Sequence, residues 1–329
     1  MTSLAPTLQT FFTERLVAQR RVSPHTVASY RDTWRLLLGF AEQRVGKEPS
    51  ALDLEDLDAP LIGAFLEHLE TVRHNRPSTR NARLVAVHSF FRFAAFNHPE
   101  QAALIQRVLA IPQKRVDRQI VSFLTKTEME ALLSEPDRTS WIGRRDHALL
   151  VLAMQTGLRV SELTNATCGD IVLGAGPHVR CTGKGRKDRQ TPLTRPTIAI
   201  LREWMYERRG DEADALFPSR RGGRLSCDAV ELLVAKYARG AKSSCPSLRT
   251  KTVTPHVLRH SCAMALLEAG IDVSVIALWL GHESIEATKP YLHADLGIKE
   301  RALARTAPPG TKPGRYRPPD SLLAFLEGL

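Results

Sequence analysis

Two histidines, an arginine and a tyrosine fall within one short segment, residues 254 to 291: His256, Arg259, His282 and Tyr291. Arginine and histidine donate hydrogen bonds to phosphate oxygens, and a tyrosine hydroxyl is a nucleophile that can form a covalent intermediate. The segment has no spacing typical of a metal site. This combination indicates phosphoryl transfer by a protein nucleophile, with DNA or RNA as the expected substrate.

The local sequence predicts how the segment is folded. Thr254 is a good N-cap, and the proline after it suits the first helical position. His256 and Arg259 then lie three residues apart on one face, beside the free N–H groups of a helix start, which favour phosphate. A second predicted helix, residues 273 to 280, ends at a glycine just before His282. Each side chain alone would fit an ordinary surface or capping role, but the four in this order favour a site.

A second cluster lies about a hundred residues upstream. A mostly apolar helix is predicted over residues 146 to 155, with Gly157 as its left-handed cap and Ser161 as the cap of the next helix. Arg159 is expected in the turn between them, where a guanidinium can grip phosphate oxygens with two hydrogen bonds. Glu162 would orient a neighbouring catalytic group. The alternative is a surface pair of Arg159 and Glu162 with little energetic value.

A small antiparallel sheet is predicted downstream, with strands at residues 171 to 173, 179 to 182 and 190 to 193. The connection of residues 183 to 189 is basic and contains two glycines. Lys184 at its tip is the residue expected to reach a leaving oxygen. Contacts with the DNA backbone are expected of the other basic residues in this connection, Arg186, Lys187 and Arg189.

These motifs together resemble the tyrosine recombinase (phage-integrase) family. They read Thr-Gly-Leu-Arg-Val-Ser-Glu-Leu, Gly-Lys-Gly-Arg-Lys-Asp-Arg, His-Val-Leu-Arg-His-Ser, Leu-Gly-His and Tyr-Leu-His, in that order. The resemblance covers roughly residues 7 to 304. It points more specifically to an integrase or transposon recombinase of a mobile element, because the sequence around and after the tyrosine is similar to element-borne members.

The resemblance implies a catalytic set that consists of Arg159, Lys184, His256, Arg259, His282 and Tyr291. The tyrosine would form a 3′-phosphotyrosine bond while the two arginines hold the non-bridging phosphate oxygens. His256 would be the general acid/base, and the second histidine would donate to the phosphate. The hairpin lysine would protonate the departing 5′-oxygen, and Glu162 would support the site. Pro290 precedes the tyrosine and disfavours helical geometry at Lys289, so either a helix starts at about Pro290 or the segment is extended in some states. This proline is not expected to inactivate the protein.

The expected fold is mainly α-helical with a small antiparallel β-hairpin or sheet, in two domains. The sequence of the N-terminal part predicts helices at about residues 8 to 19, from 23 onward, 59 to 72, from 76 onward and 100 to 109. It resembles the family's core-binding domain, which holds one side of the duplex. We expect the aromatic residues of this part of the chain to form its core and not to stack on bases. Exposed arginines there are expected to contact phosphates: Arg76, Arg80 and Arg83.

The predicted boundaries give an N-terminal helical domain (1–112), a linker (113–122), a catalytic domain (123–305) and a flexible C-terminal tail (306–329). The tail ends in an apolar helix too short to be stable alone, so it is expected to dock elsewhere. Family analogy places it on a neighbouring protomer, forming a homo-tetramer on synapsed DNA, and docking on its own domain is the alternative. Removing residues 308 to 329 should weaken assembly more than binding to a single DNA site.

Composition favours a nucleic-acid partner. The chain has 329 residues and a formal net charge of +11, which attracts phosphate and suggests double-stranded DNA as partner. No apolar run is long enough to span a membrane, and the N-terminus lacks a signal-peptide core. The five cysteines show no zinc or disulfide pattern. We expect a cytoplasmic, nucleoid-associated protein that needs no metal or nucleotide cofactor.

The expected function is site-specific DNA recombination through a Holliday junction, for integration, excision or transposition, with accessory or sister recombinases as possible partners. One alternative is a relaxing enzyme similar to type IB topoisomerases, which uses the same tyrosine chemistry without pairing sites. The other is a non-catalytic DNA-binding regulator, which has no need of the full catalytic set.

Overall fold

Residues 3–116, 122–182, 188–281 and 288 are described in this computed structural model of the protein. The chain divides into two compact units, Met1–Arg118 and Gln119–Leu329. Most described residues are helical, and the strands form a single three-stranded sheet, as the sequence predicts.

The N-terminal unit contains five α-helices: α1 (Leu4–Thr10), α2 (Pro24–Val45), α3 (Ala59–Thr71), α4 (Pro77–Asn97) and α5 (Ala102–Leu109). A π-helical segment, Phe11–Gln19, continues directly from α1. Short 3-10 helices lie at Pro49–Ala51, Leu54–Asp56 and Pro99–Gln101. The first helix therefore begins four residues before the predicted start at residue 8, and its second half is wound more widely than an α-helix.

Two helices of this unit begin where a side chain caps free backbone N–H groups of the first turn. The Ser23 hydroxyl accepts from the backbone N–H of Thr26 at 3.2 Å, and the Asp58 carboxylate accepts from that of Leu61 at 2.8 Å. Most aromatic residues of this unit lie in the core, as predicted, and the most buried of them include Phe11, Trp34, Phe65, Phe90 and Phe91. Phe96 is the exception, at 85% exposed.

The predicted exposure of Arg80 is wrong. Its side chain lies in the core of the N-terminal unit with the residue 7% exposed. The guanidinium donates to the carbonyl of Pro112 at 2.9 Å, because the chain after α5 folds back over α4. Arg80 therefore fastens the end of the N-terminal unit and is not placed to contact a phosphate at the surface.

In its described residues, the second unit contains seven α-helices and the sheet. The helices are α6 (Lys126–Ser134), α7 (Trp141–Thr156), α8 (Val160–Asn165), α9 (Arg195–Arg208), α10 (Cys227–Gly240), α11 (Pro255–Glu268) and α12 (Val273–Leu280). The strands are β1 (Ile171–Val172), β2 (His178–Thr182) and β3 (Asp188–Pro192), with 3-10 helices at Cys168–Asp170 and Pro246–Thr250.

The sheet is antiparallel in the order β1-β2-β3. Val179 pairs with both Ile171 and Thr191, and Cys181 pairs with Arg189. The third strand thus starts two residues before the predicted start at residue 190. This shift moves Arg189 from the predicted loop into the sheet.

Two predicted helix boundaries around α7 and α8 are wrong. Helix α7 begins at Trp141, five residues before the prediction, and the Ser140 hydroxyl caps it by accepting from Gly143 N at 3.0 Å. Ser161 is not the cap of α8 but lies inside its first turn, because Arg159 occupies the capping position. The Glu162 side chain satisfies the free backbone N–H of that residue at 2.7 Å.

Helix α7 lies at the centre of this unit, between α11 and α9. Its buried start is held by a charge cluster in which Arg145 donates twice to one Asp146 oxygen, at 2.8 and 2.6 Å. The Tyr237 hydroxyl of α10 donates to the other oxygen at 2.8 Å. Burial, reinforced by this carboxylate, raises the pKa of Tyr237 well above its usual value. This tyrosine is therefore a structural donor that joins α7 to α10.

All five cysteines are free thiols. Among the helices that the structure describes, none is both long and apolar enough to cross a bilayer.

Candidate active site

A glycine turn after α7 places Arg159 at the surface of the second unit. Gly157 ends the helix at φ 63°, the left-handed conformation that the sequence predicts. A Cβ atom at this position would lie 2.6 Å from the Leu280 side chain. Glycine is therefore needed both for the turn and for the close approach of α12. Arg159 follows two residues later and keeps 31% of its side chain exposed.

Glu162 fixes the orientation of Arg159 from inside the protein. Its carboxylate accepts from the Arg159 backbone N–H at 2.7 Å and from Nη1 at 2.8 Å. The Glu162 side chain is only 4% exposed, so this ion pair is not the weak surface pair considered as the alternative. The arrangement holds the guanidinium in one position while leaving part of it open to solvent.

Arg189 joins the same carboxylate from strand β3. Its Nη2 donates to Glu162 Oε2 at 2.8 Å, and its Nη1 donates to the carbonyl of Leu280 at the end of α12. The side chain is 11% exposed. This residue was predicted to contact the DNA backbone from a solvated loop, and that placement is wrong. It ties the sheet to α8 and α12 behind Arg159.

Arg259 is the third arginine at this point of the fold, with the residue 3% exposed. It donates to the carbonyl of Gly157 at 2.6 Å and to that of Leu280 at 2.6 Å. Arg159 donates to the next carbonyl, Gly281, at 2.9 Å. Carbonyls at a helix C-terminus carry partial negative charge, so they hold the three arginines together in spite of their mutual repulsion.

His256 lies at the start of α11, as the sequence predicts. The Thr254 hydroxyl caps this helix by accepting from Val257 N at 3.3 Å. The His256 ring is accessible to solvent at the surface and packs edge-on against the His260 ring, with 4.1 Å between centroids. Partial burial and the positive charges of Arg259 and Arg159 lower the pKa of His256 below its usual 6.5. The ring is therefore a neutral imidazole near pH 7, as a proton acceptor requires.

These side chains share one open cavity of about 440 Å³. It is lined by Arg159, Val160, Ser161, Glu231, Thr254, Pro255, His256 and Arg259. The structure thus brings together the arginine from the turn after α7 and the histidine and arginine from the start of α11, although about a hundred residues separate them in the chain. Two guanidinium groups and an imidazole around one cavity suit an anion such as a phosphate.

Several predicted site residues lie outside the described part of the chain: Lys184, Arg186, Lys187, His282 and Tyr291. The same holds for Pro290 and for the C-terminal tail. Helix α12 ends at Gly281 with φ 65°, as predicted, immediately before His282.

Arg76 and Arg83 belong to the N-terminal unit and are described there. Arg76 is exposed at the start of α4. Arg83 is half-buried and donates to the Thr33 hydroxyl at 3.1 Å.

The position of Arg189 could have been found in the sequence. Leu193 and Thr191 point into the second unit, 8% and 1% exposed. Alternation by two along a strand places Arg189 on the same inward face. The signal was missed because a charged residue beside a glycine-containing basic run is typical of a loop.

Comparison with known proteins shows which family the chain belongs to. The model of the phage integrase family matches residues 122–296, and that of the phage integrase N-terminal SAM-like domain matches residues 10–97. The chain is 56% identical to a putative integrase/recombinase, y4rC, of Sinorhizobium fredii over 328 residues, which cover 99% of this chain and 98% of the relative. It is 32% identical to the tyrosine recombinase XerC of Pelobacter propionicus over 290 residues, 87% of this chain and 90% of that protein.

The solved structures that resemble the chain include the Tn1549 transposon integrase in complex with transposon right end DNA. That structure superposes with a TM-score of 0.70 at 18% identity, covering 94% of this chain and 100% of the other. At this identity the likeness shows a common fold. The family match and the relatives go further: the chain belongs to the phage integrase family, and it is a tyrosine recombinase, an enzyme of site-specific DNA recombination.

Proposed function

We propose that Tyr291 is the nucleophile of this recombinase and that Arg159, His256 and Arg259 bind the phosphate it attacks. The observation that carries the proposal is the convergence of these last three side chains on one open cavity. The neutral state of His256 adds support, because a base that accepts the phenol proton must be unprotonated first.

In the proposed reaction, the Tyr291 oxygen forms a bond to phosphorus and the bond from phosphorus to the 5′-oxygen breaks. His256 takes the phenol proton, and Lys184 gives a proton to the departing 5′-oxygen. The negative charge that develops on the non-bridging oxygens is stabilised by the two arginines and by His282. The reverse reaction, with a 5′-hydroxyl of another strand as nucleophile, rejoins the DNA.

This route conserves the energy of the phosphodiester in the protein–DNA bond, so rejoining needs no ATP. The arginines and the lysine supply the positive charge that metal ions supply in many nucleases. Glu162 acts through Arg159, because it holds that side chain in position and does not line the cavity. We therefore assign it a positioning role.

We propose double-stranded DNA as the partner and a tetramer on two paired sites as the working assembly. Two strand exchanges through a Holliday junction need four nucleophiles, one from each protomer. The apolar residues at the end of the tail, 321 to 329, would dock on a neighbouring protomer. Arg76 and the basic residues of the hairpin tip would contact the DNA backbone, and a sister recombinase could supply part of the tetramer. The protein would then act at the nucleoid, on the DNA of a mobile element.

The proposal is tested by trapping DNA on the protein in cells. The wild-type protein, Tyr291→Phe and Tyr206→Phe are expressed, lysates are denatured, and DNA that stays attached to protein is sequenced. Tyr206 is the matched control because it is a 78% exposed tyrosine in the same unit.

We expect attached DNA ends at discrete sites with the wild-type protein and with Tyr206→Phe, and none with Tyr291→Phe. Ends spread evenly over the genome would favour a topoisomerase-like activity. Attached DNA that persists in Tyr291→Phe would refute the assignment of the nucleophile.

A further inference from the structure

The second unit has a cluster of arginines that do not line the cavity. We call residues 218 to 224 the basic turn, because they include Arg220, Arg221 and Arg224. Pro218 and Arg224 pair as an antiparallel bridge. Ser219 N donates to the Gly223 carbonyl at 2.6 Å, and Gly222, at φ 85°, closes the turn. The turn is therefore a tight, hydrogen-bonded hairpin and not a loose loop.

The charges of this turn face solvent. All three arginines are exposed, and in the described part of the chain none of them has a carboxylate oxygen within 4.0 Å. The nearby Asp214 is engaged elsewhere, 3.7 Å from the Arg208 guanidinium. The basic turn thus presents positive charge that no described acidic side chain neutralises.

The turn is fastened to the helix that starts at the candidate active site. Arg224 Nη1 donates to the side-chain oxygen of Asn165, the last residue of α8, at 3.1 Å. The chain just before the turn is also fixed there, since Leu216 N donates to the Ala166 carbonyl at 2.8 Å. Six residues of α-helix span about 9 Å, so the point where Arg224 is anchored, Asn165, lies roughly that far along α8 from Arg159.

Helix α10, which follows the turn, connects it to the cavity a second time. Its Glu231 lines the cavity together with Arg159 and His256. The basic turn and the anion-binding cavity are therefore attached to the same two helices, α8 and α10. A ligand with a phosphate in the cavity therefore lies close to both helices.

We propose that the basic turn binds the DNA backbone beside the phosphate that Arg159 and Arg259 hold. This inference rests on the proposed function, since it takes the ligand of the cavity to be a phosphate of a duplex. Along one strand, phosphates follow each other at about 3.4 Å of helix axis, so the roughly 9 Å from Arg159 to the anchor of the turn at Asn165 corresponds to about three phosphate spacings. Arg220 and Arg221 make the contacts, while Arg224 holds the turn to α8. The contacts are to phosphates and carry no base specificity of their own.

Salt dependence of DNA binding tests the inference, because each neutralised phosphate contributes a fixed slope. We compare the wild-type chain with Arg220→Gln/Arg221→Gln and with a control, Arg195→Gln/Arg202→Gln. The control removes two exposed arginines from α9, which packs on α7 and does not line the cavity. The probe is a short fluorescent duplex of random sequence, and the dissociation constant is measured by anisotropy over a range of salt concentrations.

Loss of two phosphate contacts should make the slope of log K against log salt shallower by about 1.8 in the turn variant. When the salt concentration rises from about 50 to 200 mM, both proteins lose affinity. The fold-loss should then be about 12 times smaller for the turn variant than for the wild type. The control should keep the wild-type slope. An unchanged slope in the turn variant, or an equal change in both variants, would overturn the inference.

Failure of the inference and failure of the proposed function are distinguishable. Covalent trapping by the wild-type protein tests the chemistry and does not depend on the basic turn. A wild type that traps DNA through Tyr291, combined with an unchanged slope in the turn variant, would refute only the inference. Circular dichroism of the variants checks that both are folded, and we expect wild-type spectra because the substituted side chains are exposed.

Discussion

Replacing Arg189 with methionine should destabilise the second unit, although sequence patterns alone place this residue in a solvated loop. Methionine keeps an apolar stem in a site where the arginine side chain is 11% exposed. The substitution removes two hydrogen bonds, one to Glu162 Oε2 at 2.8 Å and one to the Leu280 carbonyl. Hydrogen bonds of a charged group are worth about 1.5–3 kcal/mol each.

The acceptors that Arg189 leaves behind keep other partners. Glu162 still accepts two hydrogen bonds from Arg159, at 2.7 and 2.8 Å, and the Leu280 carbonyl still accepts from Arg259 at 2.6 Å. The cost therefore stays below the sum of the two bonds, because no buried charge is left alone. We expect a loss of about 2–4 kcal/mol in the free energy of unfolding.

Urea unfolding followed by tryptophan fluorescence measures this change. The second unit holds three of the four tryptophans, at positions 141, 204 and 279, so its transition dominates the signal. Arg180→Met is the matched control, since Arg180 is an exposed arginine on the neighbouring strand β2 and should change stability by less than about 0.5 kcal/mol. Equal, small effects of the two substitutions would show that Arg189 does not stabilise the second unit.

The effect on catalysis separates positioning from stability alone. At a low temperature Arg189→Met is still folded, but the Glu162 carboxylate that anchors Arg159 has lost its other partner, Arg189. We expect covalent complex to form more slowly than in the wild type. A wild-type rate in folded Arg189→Met would mean that the residue only stabilises the fold.

Three further results are expected. Tyr237→Phe removes the 2.8 Å hydrogen bond to Asp146 and should lower stability by about 1–3 kcal/mol in urea unfolding, and an unchanged midpoint would contradict this structural role. Gly157→Ala should cost more stability than Gly270→Ala, because both strain a left-handed residue by about 1–2 kcal/mol but only the first new Cβ meets a side chain, at 2.6 Å. The pKa of His256 should be below 6.5 by NMR titration, assigned with His256→Asn. Because the folded state then binds fewer protons than the unfolded one, this ring contributes stability above pH 6.5 that is lost as the pH falls. A midpoint at or above 6.5 would contradict the repulsion by the two neighbouring arginines.

Much of the site's framework follows from local rules. Thr254 starts α11 and Gly281 ends α12 because capping and left-handed turns depend on a few adjacent residues. The same rules place Gly157 after α7. These short-range signals are enough to predict that His256 and Arg259 share the start of one helix.

The errors arise where distant parts of the chain meet. Arg80 is buried because a carbonyl 32 residues away accepts its hydrogen bond. The start of α7 was missed because Arg145 looks like a surface residue until Asp146 and Tyr237 enclose it. Arg189 follows the same pattern, since its partners lie on two other elements. Buried charges of this kind depend on tertiary pairing, which periodicity and local propensity do not register.

In the proposed reaction, Tyr291 becomes covalently joined to DNA. The most direct test is to isolate the trapped complex, digest both protein and DNA, and identify by mass spectrometry the peptide that carries the residual nucleotide. We expect a single modified peptide that contains Tyr291, with the nucleotide attached through its 3′-phosphate. A nucleotide on any other residue, or one attached through its 5′-phosphate, would contradict it.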